Sequence, residues 1–151
     1  MSEHKIQLNW NNNNSIFEYE KYDRTHNIQF NGGQAITSSA TKEFLGNDSH
    51  ANPEELMAAS LASCHMLTFL AIAAKKKLQV VNYEDNPTAV LDKGASGRLE
   101  ITKIILRPKV QFETGTSINM DTLNKLHESA HRNCFIGNSI SSDVTIEPIL
   151  A

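Results

Sequence analysis

Asn52-Pro53-Glu54-Glu55-Leu56 runs directly into MAASLASCHMLTFLAIAA (residues 57–74), and Lys75-Lys76-Lys77 follow. This stretch decides the fold. Asn52 suits a helix N-cap, because its side chain accepts from a backbone N–H that has no partner inside the helix. Pro53 suits the first helical position, where its missing N–H costs nothing. Glu54 and Glu55 place negative charge in the first turn and the lysines place positive charge at the end, both as the helix dipole favours. One helix is therefore expected over residues 52–78, roughly 35–40 Å long. Its middle is apolar on nearly every face, which predicts a helix buried all round.

A buried helix needs cover, and the remaining sequence reads as strands. SIFEYEKY (residues 15–22) alternates roughly, Asp23 reads as a turn, and RTHNIQF (residues 24–30) reads as a second strand. Residues 11–14 read as a polar loop or hairpin turn, Asn31-Gly32-Gly33 as a turn, and residues 40–51 as a connection. Residues 80–83 and 88–91 read as strands, with a turn at 94–97. Residues 99–112 form a long alternating stretch, with Pro108 at a bulge or an edge. After a loop at 114–119, residues 120–133 form a second helix with Leu123, Leu126, His127 and Ala130 on one face. Residues 134–141 are a short apolar segment, and residues 144–148 a last strand. The layout is α+β, one domain over residues 1–151.

Composition narrows the function. The 151 residues are 40% apolar and 21% charged, with net charge −3. That describes a soluble protein with no charge excess suited to nucleic acid or an anionic membrane. The first ten residues lack the apolar run of a secretory signal. Residues 61–74 are interrupted by Ser63, His65 and Thr68 and read as too short to span a bilayer. A cytoplasmic address is expected. Two cysteines are too few for a disulfide scaffold, and a reducing compartment disfavours a static disulfide. Cys64 and Cys134 are then buried small hydrophobes, metal ligands or a working thiol pair.

HESAHRNC (residues 127–134) holds His127-Glu128-x-x-His131, a spacing used by zinc proteases. A catalytic zinc needs a third protein ligand. Glu147, Asp143 and Cys134 carry no motif for that role. A structural site from Cys64, His65, His131 and Cys134 does not match finger spacings. A cysteine hydrolase fares no better, because Cys64 and His65 are helix neighbours turned ~100° apart. No metal and no cofactor are expected.

The thiol pair has more behind it. Asn52-Pro53-Glu54-Glu55-Leu56, Ala58-Ala59 and Ala62-Ser63-Cys64-His65 resemble the first-cysteine helix of the OsmC/Ohr family. His131-Arg132-Asn133-Cys134, with Asn138-Ser139 after it, resembles that family's second-cysteine segment. The likeness is greatest to the OsmC-like branch and covers roughly residues 16–148. Phe135 stands where the family commonly has proline. The resemblance implies an intertwined homodimer in which antiparallel β-sheets wrap around a long buried central helix and a second helix. It implies reduction of hydroperoxides, often organic. Cys64 would attack the peroxide and become a sulfenic acid, Cys134 would resolve it to a disulfide, and a dithiol reductant would reset the pair. It also assigns Glu54, ten residues before Cys64, and an arginine from an early strand, best matched by Arg24, with Arg98, Arg107 and Arg132 as fallbacks.

Physical chemistry sets the requirements of such a site. The nucleophile is a thiolate, while an ordinary thiol is mostly protonated at neutral pH. Cys64 lies mid-helix among Leu61, Met66 and Leu67, away from a helix N-terminus, so a cation such as Arg24 is expected to lower its pKa. Glu54 would hold that arginine in a bidentate pair. Glu54 and Cys64 are ten residues apart, roughly 15 Å along a straight helix. A shared site then requires a second chain with its helix antiparallel, and hence a dimer with composite sites. His65 reads as structural, and Met57, Met66, Phe69 and Phe135 as core. Two other functions compete. One is a dimeric stress-associated binding protein whose thiols do not turn over. The other is a zinc protein using His127 and His131.

Overall fold

The computed structural model describes residues 1–13 and 16–151. They form two compact units, Met1–Leu56 and Met57–Ala151.

The first unit carries an antiparallel sheet of β1 (Ile6–Asn9), β2 (His26–Phe30) and β3 (Ala35–Ser38), with β2 central. Leu8 faces Ile28 across one ladder, and Ile28 faces Ile36 across the other. Gly33 makes the β2–β3 turn at φ 84°, a conformation that only glycine adopts without strain. β1 and β3 were not expected from the sequence. Every residue of β1 is exposed, so that strand carries no burial signal.

The strand expected over residues 15–22 does not form; Ser15 and Asn14 lie outside the described residues. The backbone turns instead, with Lys21 and Tyr22 N–H both donating to Glu18 O at 2.9 and 3.0 Å. The aromatic residues pack on one another rather than alternating across a sheet. The rings of Phe17 and Tyr22 lie 5.2 Å apart, and Trp10 lies 5.7 Å from Phe17.

In the connection to the long helix, a 3₁₀ turn spans Lys42–Phe44. Gly46 follows because a β-carbon there would fall 1.7 Å from Ala40 O. The long helix α1 (Pro53–Lys75) opens as the sequence predicts. Glu55 N–H donates to Asn52 Oδ1 at 2.8 Å, and Asn52 N–H donates to Glu55 Oε2 at 3.0 Å. This reciprocal box satisfies two otherwise orphan donors.

Within the second unit α1 ends at Lys75, three residues earlier than expected. Lys77 takes φ 58°, Lys77 N–H donates to Ala74 O, and Leu78 N–H donates to Ala73 O. This is a Schellman closure with lysine where glycine is usual. Leu78 then packs on the core.

α1 is not buried all round in the single chain. Its buried residues are Ala58, Leu61, His65, Phe69 and Ala73, a single stripe at helical spacing. The opposite side, including Ala59, Ser63, Leu67 and Ala71, is exposed. By length and composition α1 could cross a membrane. Complete burial of Leu61, His65 and Phe69 against other elements makes it a core helix instead.

Two mixed sheets and a second helix cover the stripe. β4 (Val80–Glu84), β7 (Lys109–Phe112) and β9 (Ile149–Leu150) form one sheet. β5 (Thr88–Lys93), β6 (Leu99–Leu106) and β8 (Asp143–Ile146) form the other. The sheets are not purely antiparallel: β6 pairs parallel with β8, and β7 with β9. Both strand pairs break at prolines, Arg107-Pro108 and Glu147-Pro148, where a missing N–H interrupts a ladder. Backbone bonds from Glu147 to Leu106 and from Ile149 to Pro108 carry the parallel pairing past the break, and an Arg107–Glu147 ion pair of 3.1 Å spans it.

The second helix, α2 (Met120–Arg132), is capped by Asn119, which accepts from Thr122 N–H at 2.9 Å. Phe69 and Ala73 of α1 pack with Val110 of β7 and Leu123, Leu126 and Ala130 of α2. Nearer its start, Ala58 and Leu61 pack with Ile104 and Leu106 of β6 and with Cys134. The second cysteine is therefore seated where α2 ends beside the middle of α1.

Candidate active site

Cys64 projects from α1 half-buried, and Cys134, just beyond α2, is fully buried; both are free thiols. Cys64 packs against the buried cluster that holds Cys134, close enough for each thiol to shift the other's pKa. The backbone turn after Cys134 brings Phe135 beside Cys64, and the Ile136 and Phe135 amides there favour its charged form. That turn is held by Asn138 N–H to Cys134 O at 3.0 Å and by Gly137 N–H to Cys134 Sγ at 3.3 Å.

These contacts divide the two thiols. Burial alone would push the Cys64 thiol up, but hydrogen bonds from Ile136 N–H, the Cys134 thiol, Phe135 N–H and Thr68 outweigh it and bring it below the usual thiol range. Thr68 contributes least. It has one proton, which goes to Cys64 O at 2.8 Å. Cys134 is pushed up to about 11, first by burial, then by donating to Cys64 and by the negative charge there, against a smaller opposing effect of Gly137 N–H. Cys64 is thus the more readily ionised thiol and Cys134 the one held neutral.

Within the single chain, what lowers Cys64 is a set of uncharged donors, none of them an ion pair. The sequence signal for this was faint. Gly137 followed by Asn138-Ser139 marks a turn, but which way its amides point depends on tertiary packing.

Phe135 is another correction. Expected in the core, it is 80% exposed and joins Ser60, Ser63, Cys64, Leu67 and Thr68 around a pocket of about 310 Å³. Phe69 is core as expected, and Met57 is partly buried against the cluster of Leu61, Ile104 and Cys134.

The other assigned residues lie in the first unit. Arg24 donates to Tyr22 O at 2.9 Å and Tyr19 O at 2.6 Å, and its guanidinium lies 4.0 Å from the Tyr22 ring centroid. With Trp10, Phe17, His26 and Phe44 it borders an aromatic pocket of about 540 Å³. Glu54 is not its partner in this chain: Glu54 Oε2 is buried without a hydrogen bond. Of the fallback arginines, Arg107 is engaged by Glu147 and Thr88.

His127 is not a metal-protease ligand. It is buried, and its Nδ1 lies 2.9 Å from Nε2 of buried His65. The rings are parallel within 7°, and Phe69 stacks on His127 at 4.3 Å. Burial holds both histidines neutral. His65 falls to about 4, helped by His131, and His127 to about 3, helped by His65. Among the described residues no three His, Cys, Asp or Glu side chains gather as a metal ligand set.

An α+β frame that packs a half-buried thiol against a buried one defines a dithiol protein. Residues 46–148 match the family model of OsmC-like proteins, and the chain belongs to that family. Over its whole length it is 40% identical to an OsmC-like protein of unknown function, VCA0330, from Vibrio cholerae, with a TM-score of 0.94; 99% of this chain and 100% of that one are covered. It shares the fold of the organic hydroperoxide resistance protein OhrB of Bacillus subtilis at 17% identity and a TM-score of 0.69, covering 99% and 98% of the two chains. A Bacillus subtilis protein, the uncharacterized YmaD, is 27% identical over 117 residues, 76% of this chain and 77% of that protein. The expected OsmC-like α+β fold is therefore present.

Proposed function

We propose that this protein is a thiol peroxidase that reduces organic hydroperoxides. The observation that carries the reading is the packing of half-buried Cys64 against the cluster that holds buried Cys134, with the Cys64 thiol lowered and the Cys134 thiol raised. Cys64 thiolate attacks the outer peroxide oxygen, the O–O bond breaks, and the alkoxide leaves with a proton as an alcohol. Cys64 is left as a sulfenic acid. Cys134 then forms the S–S bond as the hydroxyl departs as water, and an external dithiol reduces the disulfide. The apolar residues Leu67 and Phe135 beside Cys64 favour an organic peroxide over hydrogen peroxide.

The working form is a homodimer in the cytoplasm. In support, α1 exposes an apolar side, with Leu67 60% accessible in the single chain. Glu54 and Arg24 complete the site in this reading. The helix is unbroken from Pro53 to Lys75, which keeps Glu54 roughly 15 Å along the axis from Cys64, so the partner chain supplies Glu54. The partnerless Oε2 of Glu54 is what such an arrangement leaves unsatisfied in one chain. Steady-state consumption of cumene hydroperoxide with a dithiol reductant tests the function. Turnover is expected, and Cys64→Ser abolishes it. A protein whose peroxide consumption equals that of the Cys64→Ser variant is not a peroxidase.

A further inference from the structure

One buried polar group beside the thiols has no role in the reading above. His131 Nδ1 is buried and has no hydrogen-bond partner. It borders the same bare spot as the Cys134 sulfur: a β-carbon at Gly137 would lie 3.5 Å from Cys134 Sγ and 3.7 Å from His131 Nδ1. His131 sits one helical turn before Cys134 on α2, so the end of the helix fixes both.

The second step of the proposed cycle needs such a group. Cys134 enters it as a fully buried thiol, pushed up to about 11 chiefly by burial. Once Cys64 carries a hydroxyl, Cys134 must lose its proton to become a nucleophile. We propose that His131 carries that proton: Nδ1 takes it from Cys134 as the sulfur attacks Cys64, and returns it to the departing hydroxide. The S–S bond forms, the S–O bond breaks, one water leaves, and His131 ends as it began. The proposal rests on the peroxidase reading and adds a residue to its resolving step.

The surroundings of His131 suit the role. His65 faces it from α1 and is held neutral by burial, and His127 and Glu128 flank it on α2. Asn124 of α2, Val144 and Ile146 of β8, and Pro148 complete the lining of a cavity there of about 330 Å³. Among the described residues lining that cavity, Glu128 is the one carboxylate.

Single-turnover kinetics with cumene hydroperoxide tests this, following sulfenic acid by dimedone trapping and disulfide by loss of thiols. In His131→Asn, Cys64 oxidation proceeds at the wild-type rate, while disulfide formation slows by about 10²-fold, the usual size of a lost general base. The pH profile of the resolving step loses its imidazole limb and keeps only the rise through the Cys134 thiol. Gly137→Ala is the second variant. Its methyl meets both neighbours at ordinary contact distance, so the chain folds while the space between Sγ and Nδ1 is filled. Slowed resolution is expected again. Resolution at the wild-type rate in both variants overturns the proposal. So does an equal slowing of both steps with an unchanged pH profile, which would mark His131 as structural. A wild type that forms no sulfenic acid overturns the peroxidase reading itself.

Discussion

Nε2 of His65 lies 2.9 Å from Nδ1 of His127, and neither ring reaches solvent. The pair joins α1 to α2, the two helices that carry the cysteines. Its consequence for stability has a definite sign. Both histidines have folded pKa values below the ordinary value, about 4 and about 3. Between about pH 6.5 and those values the unfolded chain takes up protons that the folded chain refuses, so stability is full above that window and falls as pH drops through it. At about 1.36 kcal/mol per unit, the loss reaches several kcal/mol by pH 4. Urea midpoints measured from pH 7 to pH 4 should fall accordingly, and the double variant His65→Leu/His127→Leu should flatten that slope.

The two thiols should differ sharply in reactivity. With its pKa near 11, Cys134 has about 10⁻⁴ of its population as thiolate at pH 7. Alkylation of the folded, reduced protein by iodoacetamide is expected to stop at one label, on Cys64, with Cys134 labelled only after denaturation. Mass spectrometry of proteolytic fragments reads this directly.

Removing the Cys134 donor should raise the Cys64 pKa. In Cys134→Ala the sulfur keeps the Ile136 and Phe135 amides but loses the thiol donor. Ultraviolet titration of the remaining thiolate should shift to higher pH. Dimedone should trap a persistent sulfenic acid after peroxide, because nothing is left to resolve it. An unshifted titration would mean that the Cys134 contact does not tune Cys64.

Much of the scaffold can be read from local chemistry. Asn52, Pro53 and Glu55 announce the start of α1 because capping depends only on residues three apart. β6, β7 and α2 follow from their periods. Residues 15–22 mislead because tertiary packing gathers Phe17 and Tyr22 onto Trp10, and a period cannot see that. The full burial expected of α1 is not met in one chain, since apolar composition does not say whether the cover comes from the same molecule. Within the site, both cysteines were identifiable from motifs. The amides of Phe135 and Ile136 were not, because a backbone donor leaves no mark in the residue type. The contact of His127 with His65 left no mark for a related reason: the two are sixty-two residues apart in sequence.

The exposed side of α1 gives a prediction about assembly. Leu67→Glu puts a charge on that side, away from the buried stripe. The wild type is expected to sediment as a dimer and the variant as a folded monomer with peroxidase turnover lost. Mixing Cys64→Ser with Glu54→Ala chains should restore part of the activity if the site is shared. Absence of any recovery would place each site within one chain.

The Asn52 box is a simpler check on the scaffold. Asn52→Ala removes the acceptor for Glu55 N–H and should cost about 1 kcal/mol. Equilibrium urea unfolding measures it.

The central claim is that Cys64 and Cys134 act as one redox unit. Its most direct measurement is a count of free thiols after the reduced protein meets one equivalent of cumene hydroperoxide. Both thiols should disappear together, and Cys64→Ser should retain its single thiol. Two thiols still free in the wild type would contradict the account.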